Sequence, residues 1–471
     1  MKRPFSLLIL LLMAAMNVCA EDYGSYYRNM PVSMPVPVTP TIPDYTVSIN
    51  DFGGVGDGIT LNTEAFEKAI AELDSKGGGH LTVPAGIWLT GLISLKDNID
   101  LHIERNAIIM ASPDRSLFIK VKDGKKDRKC TPMISASKRK NISITGEGVI
   151  DGNGVYWRPV KRSKVSDVEW NSFKSMGGTE KEDGKLWFPY DLKHYDNIAS
   201  SPERQETMRT HLIRFTECEN VLVKGVTIQN SPKFHLIPTR CNNVVVDGVT
   251  IRCPWNAQNG DALDLSSCKN VLVVNNTIDA GDDGICMKAG AGQSGVGNGP
   301  CENILIENNT VYHAHGGFVI GSEFTGGMKN IVVRNNRFNG TDTGLRFKSG
   351  LGRGGKTENI FISDIYMTDI KDEAIVFECT YVDKKYSVKD SDNKVTVPTD
   401  APFAPEFTDI SISGVVCRGA KTAVSAHGLP GLNCVHGVTI DNSVFFYTDK
   451  DKDIDSNVDV KISNTKFETF R

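Results

Sequence analysis

Four short groups of residues in this chain have the right types for acid–base chemistry. Asn259-Gly-Asp261-Ala-Leu-Asp264 and Gly281-Asp282-Asp283-Gly284 supply carboxyls, His313-Ala-His315-Gly-Gly supplies imidazoles, and Gly344-Leu-Arg346-Phe-Lys348 supplies cations. Singly they mean little. Asp-Asp between glycines usually marks a turn, Asn-Gly a hairpin, and a lone histidine is more often structural. Arg-x-Lys on a strand is usually a solvated face. Together the four groups suit hydrolysis of a charged glycan, in which one protonated carboxyl donates to the leaving oxygen and one carboxylate activates water. Asp261, Asp282 and Asp283 would crowd one another, so at least one pKa is expected to rise and keep an acid protonated. Arg346 and Lys348 can grip a substrate carboxylate, Arg346 bidentately. This chemistry calls for no metal and no cofactor.

Such groups act together only if something stacks them. The chain repeats one theme, seen at Cys218-Glu-Asn220-Val-Leu-Val, Cys241-Asn-Asn243-Val-Val-Val, Cys268-Lys-Asn270-Val-Leu-Val and Cys301-Glu-Asn303-Ile-Leu-Ile. It recurs at Asn330 and Asn359, and more weakly near Asn141, Asp409 and Gly437. The runs are β-branched and too short for helices, which is strand chemistry. A unit of this size cannot bury its apolar face alone, so the copies must stack. The expected fold is all-β, a right-handed parallel β-helix, with neighbouring coils about 4.8 Å apart. The cysteines at one repeat position read as a column of buried thiols, although adjacent coils are close enough for a disulfide.

Offsets from the asparagine markers place the four groups. Asp282 and His315 each lie 12 residues past their marker, and Asp261 and Lys348 each lie 18 past theirs. Equal offsets predict one side of the stack. Strand alternation predicts that Asn259 shares a face with Asp261, and Arg346 with Lys348. Stacking alone puts Asp261 near Asp282 at ~5 Å, whereas inverting glycosidases use ~6.5–9.5 Å; a strand offset could supply the difference.

Residues 1–20 read as a secretory leader, with Lys2 and Arg3, an apolar run from Leu7 to Ala15, and cleavage after Ala20. The protein is therefore expected to be secreted or periplasmic. Residues 21–44 read as a linker, and 45–471 as a single solenoid domain with insertions near 152–210 and 380–403. The aromatics Trp157, Trp170, Trp187 and Tyr190 in the first insertion, and Tyr381 and Tyr386 in the second, suit either solvated loops or a substrate-facing role. One amphipathic helix precedes the coils, capped by Asn62 or Thr63 and ended by Gly77-Gly78-Gly79. It presents Ala65, Phe66, Ala69, Ile70 and Leu73 on one face, to cover the open end of the first coil. The formal net charge of −4 disfavours nucleic acid. No later segment is apolar enough to span a membrane, and a monomer is expected.

At the four groups the chain closely resembles glycoside hydrolase family 28, the polygalacturonases, and its bacterial members in particular. The family pattern of Asn-x-Asp, Asp-Asp, Gly-His-Gly and Arg-x-Lys is met by Asn259-Gly-Asp261, Asp282-Asp283, His315-Gly316 and Arg346-Phe-Lys348, in that order, with Ala314 where the family usually has Gly. The opening Asp51-Phe-Gly-Gly-Val-Gly-Asp57-Gly fits as well. The resemblance implies inverting hydrolysis of α-1,4-galacturonosidic bonds in pectin, without metal. Asp282 would be the general acid, Asp261 and Asp283 would activate water, and His315 would support the acid. Asn259, Arg346 and Lys348 would bind substrate. The first insertion could wall off one end of a groove, which favours exo over endo action. Rhamnogalacturonan-cleaving relatives usually lack the His and the Arg-x-Lys pair. Rivals from other classes are a calcium-dependent pectate lyase and a non-catalytic glycan-binding solenoid.

Overall fold

The computed structural model describes residues 23–469 apart from 123–124, 127–128, 182, 190–208, 382–387, 390–394 and 397–401. The expected leader, Tyr190 and Tyr386 lie outside the described residues. The chain forms a right-handed parallel β-helix. One sheet of thirteen parallel strands runs the length of the stack, and the two other faces merge into a second, larger sheet. A middle coil is typical. Lys269–Val274 lies on the long sheet, Thr277–Asp279 on a short face, and Ile285–Lys288 on a third face, directly after Asp282-Asp283. Registers are continuous: Val244, Val271, Ile304, Ile331 and Ile360 pair in series. Their side chains join one apolar core that extends from Val47 to Phe445.

The asparagine markers are the physical reason for the repeat. Asn220, Asn243, Asn270, Asn303, Asn330 and Asn359 all adopt positive φ, between +52° and +57°. This left-handed geometry turns the chain from one face to the next, and asparagine tolerates it better than most residues. Their side chains form a ladder: Asn303 Nδ2 donates to Asn270 Oδ1 at 3.0 Å, Asn330 to Asn303 at 2.9 Å, and Asn359 to Asn330 at 2.9 Å. Cys218, Cys241, Cys268 and Cys301 are free and buried, the expected thiol column.

Helix α1, Thr63–Ser75, buries all five expected apolar residues against the first coils. Asn62 occupies the N-cap position without capping. Its Oδ1 instead accepts from Val55 N at 2.7 Å, and its Nδ2 donates to the Val55 and Thr60 carbonyls, so it ties down the preceding loop. The segment expected as a linker is packed. Tyr23 and Met34 cover Val245, Leu272, Val274, Leu305 and Val332 on the outside of the long sheet, and Tyr23 Oη donates to Asp247 at 3.0 Å.

The first insertion folds on itself. Helix α2, Asp167–Ser175, and a three-stranded sheet bury Trp170 and Trp187 with Val160 and Val165. Trp157 packs edge-on against Phe118 in the main core. These three tryptophans are therefore structural, which corrects the substrate-facing reading. An isolated insertion needs a core of its own, and its largest side chains supply it.

Candidate active site

The four groups meet on one face. One carboxylate oxygen from each of Asp261, Asp282 and Asp283 lies within 4.8 Å of the others. Lys348 Nζ donates to Asp283 Oδ2 at 2.7 Å, and Arg346 stands 3.5 Å from Asp283 Oδ1. His315 Nδ1 lies 3.1 Å from Asp282 Oδ1, and its Nε2 lies 3.7 Å from Asp342. The side chain of Asp282 is 19% exposed while Asp261 and Asp283 are buried, so Asp282 is the carboxyl that faces the groove. Leu345 and Phe347 point into the core, which leaves Arg346 and Lys348 on one outer face as alternation required.

Two positional expectations need correction. Leu263 pairs with Ile285, so Asp261 lies beside Asp283 rather than in the register of Lys348. The coil from Asn243 takes 20 residues to reach Leu263, whereas the next three take 15 to reach Ile285, Phe318 and Leu345. Its corner is five residues longer, and the shared offset of 18 is a coincidence. The offset of 12 is meaningful, because His315 N donates to the Asp282 carbonyl at 2.9 Å. Asn259 lies in a turn with φ +51°, outside any strand, so alternation does not govern it. Its Oδ1 accepts from Arg209 at 2.8 Å.

With this geometry in view, known proteins decide the family. A family model described as glycosyl hydrolases family 28 matches residues 161–462. The chain belongs to glycosyl hydrolase family 28. A probable polygalacturonase of Vitis vinifera is 30% identical over 69% of this chain, and an exo-poly-alpha-D-galacturonosidase of Dickeya chrysanthemi is 26% identical over 83%. The aligned parts make up 62% and 66% of those two proteins, less than two thirds of either. The crystal structure of a hyperthermoactive exopolygalacturonase from Thermotoga maritima superposes with a TM-score of 0.69 at 30% identity, covering 91% of this chain and 94% of that one.

Electrostatics divide the family 28 aspartates. Burial, then Asp264 and Asp282, push the Asp261 carboxyl well above the carboxylate range. Burial also raises Asp283, but Lys348, Lys288 and Arg346 outweigh it and hold the group at about 2. Crowding is expected to raise at least one member of the trio; the member raised is Asp261, with burial a larger cause than its neighbours' charges. Asp261 Oδ1 and Asp283 Oδ1 are buried without a hydrogen-bond partner among the described residues, two acceptors available to a bound molecule. The three aspartates could hold a cation by spacing alone. A cation there would have to compete with the Lys348 ammonium on Asp283, so the donor set fits one poorly.

Several contributors were not singled out from sequence. Asp264, adjacent in the first motif, is buried and lies 3.4 Å from Lys288; burial raises its pKa to about 6. His235 is fully buried, held neutral by burial at about 4, and its Nδ1 lies 2.9 Å from the Asp261 carbonyl. Asp342 backs His315. Tyr381, for which the sequence leaves a solvated-loop and a substrate-facing role open, puts its ring centre 5.5 Å from Lys348 Nζ. The Gly-flanked Asp-Asp pair had a sequence signal, whereas His235 and Asp342 had none, being ordinary residues placed by stacking. Ala314 is accommodated with its methyl buried, and His315 keeps its contact with Asp282. His313 pairs with Asp279 at 3.2 Å instead.

Proposed function

We propose that this protein hydrolyses α-1,4-galacturonosidic bonds in polygalacturonate and its oligomers, removing sugar from chain ends. The observation that carries the reading is the cluster of three aspartates with Arg346 and Lys348 on the next coils of the same face. Asp282, the carboxyl facing the groove, donates a proton to the leaving glycosidic oxygen, with His315 orienting it. Asp283 is the ionised partner and accepts a proton from the attacking water, which Asp261 helps to hold. Arg346 takes a galacturonate carboxylate. Lys348 is buried against Asp283, so its first task is to keep that group ionised. The folded insertion at 152–189 and the likeness to two exo-acting enzymes support action at chain ends. We further propose export with cleavage after Ala20, and action as a monomer; N-terminal sequencing and light scattering test these.

Product analysis on polygalacturonate tests the main reading. Monomer or dimer alone at early times is expected, and a ladder of oligomers would refute end-wise action. An ultraviolet-absorbing product that chelator abolishes would identify a lyase instead. Inversion is the stereochemistry we propose, from likeness to the family. An oxygen from each of the three aspartates lies within 4.8 Å of the others, an approach that favours retention, whose carboxyls stand ~5–5.5 Å apart. Proton NMR of the first-formed anomer separates the two.

A further inference from the structure

The long corner of the Asp261 coil has its own chemistry. Its extra residues include Pro254-Trp255-Asn256-Ala257-Gln258, and Trp255 is 52% exposed while the other four tryptophans are buried. A half-exposed indole offers a ligand an apolar face and a polar edge. The corner is rigid. Ala257 N donates to the Pro254 carbonyl at 2.9 Å and Cys253 N to the Asp279 carbonyl at 2.8 Å. The Pro254 and Ala257 carbonyls press on Gly281, where an added Cβ would come within 2.7 Å of each. Gly281 immediately precedes Asp282, so the backbone that carries Trp255 adjoins the acid. From the other side the insertion brings Lys164 Nζ to 5.8 Å from the Trp255 ring centre. A cleft of about 340 Å³ opens beside them, lined by Pro254, Asn256, Asn153 and Arg158 among others.

We infer that Trp255 and Lys164 form a uronate-binding subsite on the opposite side of the scissile bond from Arg346 and Lys348. The indole takes the C–H face of one pyranose ring, and the ammonium takes the carboxylate of the same sugar. The Trp255 coil, which also carries Asp261, lies three coils before that of Arg346, about 14 Å along the axis at ~4.8 Å per coil, so Asp282 and Asp283 fall between the two sets. The subsite deepens the galacturonan reading and rests on it.

Steady-state hydrolysis of polygalacturonate by the full protein and its Trp255→Ala, Trp255→Tyr and Lys164→Ala variants tests the subsite. Trp255→Ala should raise KM roughly tenfold, the scale of one aromatic contact, and leave kcat within about twofold, with Trp255→Tyr recovering most of the loss. Lys164→Ala should raise KM about fivefold. It should also weaken inhibition by free galacturonate more than inhibition by galactose. An unchanged KM in both alanine variants, or a fall in kcat alone, overturns the subsite. Should Trp255→Ala fail to fold, Lys164→Ala carries the test by itself. If the parent protein does not hydrolyse polygalacturonate at all, the galacturonan reading fails instead.

Discussion

The asparagine corner and the aspartate groove are built from the same coils, yet they handle buried polar groups in opposite ways. At the corner each Asn donates to the Asn one coil back and accepts from the Asn one coil ahead. A second, deeper row runs the other way, each Asn donating to the one a coil ahead: Asn309 Oδ1 accepts from Asn276 N at 3.0 Å, and Asn336 Oδ1 from Asn309 N at 2.9 Å. Every one of these rungs is a neutral amide, and the ladder varies only at Asn270, which donates to Asn242 at 2.9 Å and to Asn243 at 3.5 Å. In the groove no two coils match. Asp283, Lys288 and Lys348 are brought together as charges around Asp261, whose carboxyl is pushed up by burial, and oxygens of Asp261, Asp264 and Asp283 lack hydrogen-bond partners among the described residues. Repetition with satisfied partners stabilises, whereas non-repeating, partly unsatisfied charge is tolerated where it does chemistry.

The contrast can be broken or sharpened by substitution. The largest effect belongs to Asp282→Asn, which should melt like the parent and lose at least ~10³ in kcat, the usual weight of acid–base catalysis. Near-parental turnover would remove Asp282 from the acid role. Next is Lys348→Ala. The sequence suggests mainly a loss of substrate affinity, but the 2.7 Å contact with Asp283 makes a fall of about 10² in kcat the expectation as well. Without its strongest cation Asp283 titrates higher, so the acid limb of the pH–rate profile should move to higher pH; an unmoved limb would count against Asp283 as base.

At the corner, Asn303→Ala should cost about 2 kcal/mol in denaturant unfolding, from two ladder bonds and a strained left-handed residue, and leave kcat unchanged. A large loss of activity with little loss of stability would erase the distinction between the two regions. The smallest effect, about 1 kcal/mol, is expected for Asp264→Asn, because the Lys288 pairing is lost in the same change. Asp264 has its folded pKa raised to about 6, so the folded state binds the extra proton between about pH 4 and 6, and the parent loses stability as pH rises through that window. The stability of Asp264→Asn relative to the parent should therefore improve from pH 4 to pH 7; a flat difference would place the perturbation elsewhere.

The two regions also differed in how far the chain alone revealed them. The corner was written in plain sight, since each Asn must sit where the backbone turns left-handed and each turn recurs every 23 to 33 residues. Helix α1 was legible for the same reason, its five apolar positions being set by local periodicity. In the groove only the residues with unusual types in unusual places stood out. Asp264 hid inside its own motif, and His235 and Asp342 are unremarkable in sequence, acting only because a neighbouring coil carries Asp261 or His315 past them. The insertion's tryptophans misled because aromatic type does not reveal whether a loop will fold its own core, and Trp255, in a turn, drew no notice.

By itself, the sequence determined the solenoid, its family and which three aspartates cluster, because β-branched repeats, left-handed asparagines and four ordered motifs are local facts. The tertiary structure alone decided which carboxyl is pushed up, which is held down and which faces the groove. Those outcomes depend on burial and on cations such as Lys348, which lies 65 residues from Asp283 in the chain and 2.7 Å from it in space. Five extra residues in one corner shift that register, and no offset counted along the chain can reveal it without the hydrogen bonds that align the coils.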